Sequence, residues 1–170
     1  VKTIICIILL PSVLLGQQIG FSIDGASVLT NKNHETGLAG LSLFAGVTIT
    51  DKFQAEAKVG LPKILPQFRG VNFAVSLAYD IYNPVYILGS FMFHSNEATS
   101  EEGTFSKRVT FIGAGAGVDI FEFLSFELLY YHPLKKEQWH VTHDLYWENF
   151  YFEDLTGIIK ADLKFHWDNW

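Results

Sequence analysis

His94 and Ser95 stand side by side ahead of Asn96, with Glu97, Glu101 and Glu102 close behind. A serine hydroxyl becomes a nucleophile when a base within hydrogen-bond reach takes its proton, and a histidine backed by a carboxylate is a common provider. On a regular strand, though, neighbours point to opposite faces, so the two can meet only if a loop begins at Ser95. Further on, His140 and His143 lie close to Asp144 and Glu148. Neutral imidazole and carboxylate suit zinc, which makes His140, His143 and Asp144 the one metal-ligand candidate. Their i,i+3 spacing is shorter than the helical i,i+4 zinc signature, and no helix pattern surrounds them. The expectation is therefore a chain without a cofactor or resident metal.

A second group of reactive side chains carries charge. Asp24, Glu56, Lys58, Asp80, Asp119, Glu127, Lys160, Asp162 and Lys164 all sit in stretches that alternate apolar and polar residues. Leu41, Leu43, Ala45, Val47 and Ile49 alternate with Ser42, Phe44, Gly46 and Thr48, and Phe53 to Leu61 repeats the pattern around Gln54, Glu56 and Lys58. Ile159, Ala161, Leu163, Phe165 and Trp167 do so around Lys160, Asp162, Lys164 and His166. Side chains on a strand point to opposite faces in turn, so each stretch has one apolar face free of charge and one polar face. That pattern predicts an all-β, eight-stranded antiparallel transmembrane barrel, with lipid outside and a small polar interior.

Strands are predicted near 18–27, 38–50, 53–61, 70–81, 85–95, 108–120, 123–131 and 155–167. Short connections at 51–52, 82–84 and 121–122 alternate with long ones at 28–37, 62–69, 96–107 and 132–154. Outer-membrane barrels keep short turns on the periplasmic side and long loops outside. Aromatics mark both rims: Phe53, Tyr79, Tyr82, Phe121, Phe123 and Trp167 at the inner one, Phe91, Phe93 and Tyr130 at the outer. Rings with a polar tip favour that interface.

The N-terminus points the same way. Lys2, an apolar run from Thr3 to Leu15 and small Gly16 have the proportions of a secretory signal peptide over residues 1–16, leaving 17–170 as the barrel domain. The single cysteine, Cys6, falls in that segment, so no disulfide or thiol chemistry is expected in the barrel. With a net charge of −6 and no basic patch interleaved with aromatics, nucleic acid is not an expected partner.

The chain resembles the small eight-stranded outer-membrane barrels of the OmpA and OmpX type, through GAGAGVDIFEFLSFELLYY, AGVTITDKFQAEAKVG and the final strand IKADLKFHW. The resemblance implies a bacterial outer-membrane location, contact with membrane lipid and lipopolysaccharide, and insertion by the barrel-assembly machinery. His94-Ser95-Asn96 also resembles the histidine, serine and SN dipeptide of the lipid A deacylases, which would make His94 and Ser95 the site of a lipid-modifying hydrolase as the alternative function. In those enzymes the two residues are two apart, whereas here they are adjacent.

An eight-stranded barrel is just wide enough for side chains to fill it. The nine charges are therefore expected to pair as a plug, with Gly113, Gly115 and Gly117 making room for Phe44, Tyr86 or Tyr131. The expected function is a structural or surface-interaction role through the outer loops, above all 132–154. There Trp139, His140, His143, Tyr146 and Trp147 are the candidate contacts for an extracellular protein or glycan, with packing of the loop's aromatics over the barrel mouth as the equal alternative. The segment Gln138 to Phe150 is expected to be removable without loss of the barrel.

Overall fold

The computed structural model describes residues 17–32, 34–62, 70–100, 103–136, 138–141 and 151–168. The predicted signal segment and, in the last predicted outer loop, residues 137 and 142–150 lie outside them. Nine strands form: β1 (Gln17–Thr30), β2 (His34–Thr50), β3 (Phe53–Pro62), β4 (Gly70–Tyr82), β5 (Val85–Ser100), β6 (Gly103–Phe121), β7 (Leu124–Pro133), β8 (Gln138–Val141) and β9 (Tyr151–Asp168). Each of β1 to β6 pairs antiparallel with the next.

β7 and β8 occupy successive stretches of one edge of β9, against Ile158–Phe165 and Tyr151–Asp154 respectively. They count as one wall position. The other edge of β9 pairs with β1 from Gln18↔Asp168 to Thr30↔Leu155, which closes an eight-stranded barrel. Closure matters because hydrocarbon offers no partner for a bare strand edge.

The outward face is the apolar one. Leu43, Leu61, Ile112, Leu128 and Trp167 are all at least half exposed, as a wall solvated by lipid requires. Rings cluster at its lower rim, where Phe53 meets Tyr79 at 4.9 Å and Phe121 stacks on Phe123 at 5.7 Å. Phe91 and Phe93 meet edge to face at 5.0 Å nearer the upper rim.

Two of the predicted long loops are largely strand. β1 and β2 run to Thr30 and from His34, and β5 and β6 run to Ser100 and from Gly103. Above the bilayer neither face meets lipid, so alternation disappears from the sequence while the backbone still needs partners. Pairing simply continues upward, as Thr99↔Thr104 shows. β8 against β9 continues the last hairpin in the same way.

Ala57 lies midway along the outward face of β3, between Ala45 and Val75. Ala57→Lys places an ammonium in hydrocarbon and is expected to destabilise the barrel by about 2–4 kcal/mol. Urea titration in lipid vesicles measures it, and a neutral result means the faces are reversed.

Candidate functional site

The interior is filled in two tiers. In the lower tier β9 presents Lys160, Asp162 and Lys164 at alternate positions, hence on one face. Register sets Asp162 directly opposite Asp24 on β1 and Glu127 on β7. Like charges facing each other across strands repel, so the arrangement stands only because lysines intervene.

Lys58 crosses from β3 and puts its Nζ 2.7 Å from Asp162 Oδ2 and 3.2 Å from Asp24 Oδ1. Lys160 Nζ completes the square, 3.3 Å from Asp24 Oδ2 and 3.5 Å from Asp162 Oδ1. Ser22 donates to Asp24 at 2.6 Å, and Ser42 donates to it as well.

Below this square Lys164 Nζ lies 2.5 Å from Glu56 Oε2 and 2.8 Å from Glu127 Oε1, and 4.5 Å over the Phe44 ring. Tyr86 donates to Glu127 at 3.0 Å. The two groups differ in charge: the square is neutral, while one lysine serves two glutamates here.

Glycines make the fit possible. A Cβ on Gly117 would fall 2.2 Å from the Tyr86 ring, and one on Gly113 2.5 Å from that of Tyr131. Phe44 takes its space from Gly20 instead, where a Cβ would come within 2.7 Å of its ring.

Seven of the nine predicted inward charges meet in these groups. Asp80 and Asp119 do not, and line the mouth beside the short turns as exposed residues. They remain paired in the wall, Asp80 with Tyr86 and Asp119 with Ser125, but at its very end.

That mouth is a polar funnel of about 630 Å³ ending at Gln18, Gln54, Tyr86, Ser125, Lys164 and His166. A chain of hydrogen bonds crosses its floor. Gln54 Nε2 donates to Gln18 Oε1 at 3.2 Å, and Gln18 Nε2 lies 2.8 Å from His166 Nδ1. With Gln18 donating there, His166 Nε2 carries the proton and donates to Ser125 Oγ at 2.9 Å. Ser125 in turn donates to Asp119 Oδ1 at 2.7 Å. Its hydroxyl proton is thus directed at a carboxylate rather than the imidazole, so the trio orders the floor and does not prepare a nucleophile. The alternation puts His166 on the polar face without a role; only register reveals that Ser125 meets it.

The upper tier is apolar. Val28, Met92, Val109, Phe111, Leu129, Leu155 and Ile158 are buried there, with Trp139 among them. Trp139 is only 1% exposed, stacked on His94 at 5.5 Å and edge-on to Phe111 at 6.3 Å. This corrects its predicted role as an exposed ligand contact: β8 turns the indole inward as the cap of the mouth. It also corrects the expectation that Gln138 to Phe150 can be removed whole, because the cap would go with it. The side chain of His140 and all of His143, Asp144, Tyr146 and Trp147 lie outside the described residues. Among the described residues no group of three or more histidines, cysteines or carboxylates could hold a metal.

His94 is buried in this cap, while Ser95 points to the opposite face of β5. β5 pairs without a break from Tyr86 through Ser100, so no loop begins at Ser95. The geometry brings no serine–histidine pair together at this place.

The lower groups predict an asymmetry. Lys164→Met leaves two buried glutamates without their shared cation and is expected to cost about 3–5 kcal/mol. Glu56→Gln leaves a balanced Lys164–Glu127 pair and is expected to cost much less. Equal losses in urea titration would contradict the one-to-two arrangement.

No protein-family model matches the chain, and no curated protein matches it in sequence. Solved structures do. The N-terminal β-barrel domain of Pseudomonas aeruginosa OprF is 10% identical with a TM-score of 0.53, over 88% of this chain and 97% of that one. Ail, the attachment invasion locus protein of Yersinia pestis, is 11% identical with a TM-score of 0.49, over 91% of this chain and 100% of the other. Neisserial surface protein A is 13% identical with a TM-score of 0.44, over 89% and 94%. The chain shares the β-barrel architecture of the OprF domain.

Proposed function

We propose that the protein is a bacterial outer-membrane barrel that neither conducts nor catalyses, and that works as a scaffold presenting its outer ribbons to a protein or glycan at the cell surface. The observation carrying this is the filled interior: paired charges occupy the lower tier and the Trp139 cap the upper. An eight-stranded wall leaves no water-filled bore once its side chains are in place. What remains for function is the rim, where the β5–β6 and β8–β9 ribbons continue beyond the apolar band. Sites on rigid scaffolds concentrate in such projections. The hydrolase alternative at His94 and Ser95 gains no support from their opposite orientation.

The test replaces residues 142–150 by a short glycine turn, keeping β8 and its Trp139. Loop length affects closure entropy weakly, so the variant is expected to fold and to shift on gels with heating as the intact barrel does. Cells displaying the intact protein are expected to adhere to arrays of immobilised glycans and matrix proteins, and cells displaying the variant to lose that adhesion. Adhesion that survives the replacement contradicts a binding role for this loop. A stable open channel for the intact protein in planar bilayers contradicts the scaffold function itself.

A further inference from the structure

Cations are distributed unevenly over the two ends of the barrel. At the described periplasmic rim Lys52 stands among Asp51, Asp80, Asp119 and Glu122. At the outer rim Arg108, His132, Lys135 and Lys136 gather on one flank, formed by β6, β7 and the residues following β7. All four are exposed.

Register fixes how they are arranged. Ile112 faces His132 across β6–β7, and one step higher the Leu134 N–H donates to the Thr110 carbonyl at 2.9 Å. Arg108, two residues above Thr110, shares the outward face of β6 with Thr110 and Ile112. At about 3.4 Å per residue, Arg108 and Ile112 are separated by about 14 Å of strand. Leu134 places Lys135 immediately beside that column.

Three features distinguish this flank from an ordinary solvated rim. First, Lys136 is held by Asp154 at 2.9 Å, and that hydrogen bond raises its pKa above the usual ammonium value. Arg108 and Lys135 meet no carboxylate among the described residues. Second, Arg108 and Lys135 lie above the lipid-facing wall of Phe91, Phe93, Ile112 and Tyr130, all exposed, and His132 stands level with Ile112. Third, the described lower rim sets Lys52 among four carboxylates, Asp51, Asp80, Asp119 and Glu122. A ligand matching this flank must carry negative charge at the height of the headgroups and hydrocarbon beneath it.

We infer that Arg108 and Lys135 form a binding site for a phosphorylated glycolipid of the outer leaflet, its phosphate on these two cations and its acyl chains along Phe91, Ile112 and Tyr130. Arg108 provides the forked donor that matches a phosphate, and Lys135 a point charge beside it. The wall below replaces contact with neighbouring chains. The site is independent of the ribbon tips assigned to display, and its occupancy would also fix the barrel's height in the membrane.

Native mass spectrometry of the folded barrel in detergent, titrated with bis-phosphorylated lipid A, tests the assignment. Parallel titrations use the same glycolipid stripped of phosphate, and inorganic phosphate as competitor. Arg108→Gln combined with Lys135→Gln is expected to weaken lipid A binding about tenfold, since each cation near a charged lipid surface contributes several-fold in affinity. Lys52→Gln at the opposite rim is expected to change nothing, and the heat-dependent gel shift confirms that each variant is folded. The stripped glycolipid is expected to bind about as weakly to the intact protein as lipid A does to the double variant. Equal binding of both lipids, or an unchanged double variant, overturns the site. Displacement of lipid A by inorganic phosphate alone overturns the assignment to a lipid.

Discussion

Closure of β9 onto β1 is the constraint from which the rest of the structure follows. Inside hydrocarbon an unpaired N–H or carbonyl costs several kcal/mol, so a sheet that crosses the bilayer must leave no edge. Thirteen register pairs along Gln18–Thr30 supply that closure here. Eight wall positions then fix the bore at about the width of the side chains that line it. The interior becomes a packing problem instead of a channel.

Charge is admitted to such an interior only in company. Asp162 faces a carboxylate on each side, at Asp24 and Glu127. Its tolerance depends on Lys58 reaching across from β3 and on Lys160 from its own strand. Replacing such a network by apolar residues could be neutral, whereas removing one member strands the others. The lower tier therefore specifies which strands face each other more than it adds net stability. Above it, Trp139, Phe111 and Met92 seal the outer mouth by ordinary apolar packing. Among the described interior residues, the two tiers leave the funnel beside the short turns as the accessible part.

Much of this was legible in the residue alternation. A two-residue period with an uncharged face identified the strands, their inward and outward sets, and the short turns, because lipid on one face imposes the period directly. The same logic failed where lipid was absent. β5 and β6 continue to Ser100 and from Gly103 through polar sequence that carries no period. Trp139 looked like an exposed loop aromatic because no periodic pattern says which face of a four-residue strand turns inward. Asp80 and Asp119 had inward parity, yet parity does not say how near the mouth a residue lies. Pairings within the lumen, and the Gln54–Gln18–His166–Ser125–Asp119 chain, depend on register between strands distant in sequence. No local signal encodes it.

The sealed interior is the central claim, and the sequence makes it easy to probe, because the only native cysteine is Cys6 in the leading segment. Ser90 lies inside the barrel, 6% exposed, bonded to Tyr131 and Ser76 at 2.9 Å each. Asp119 stands in the open funnel. With Cys6 absent, Ser90→Cys and Asp119→Cys barrels in vesicles are exposed to a charged, membrane-impermeant thiol reagent supplied on both sides. The sealed structure predicts prompt labelling of the cysteine at 119 and none at 90 while the barrel stays folded. Labelling at 90 as fast as at 119 would mean that water and ions pass the paired charges and the Trp139 cap, and would contradict the account.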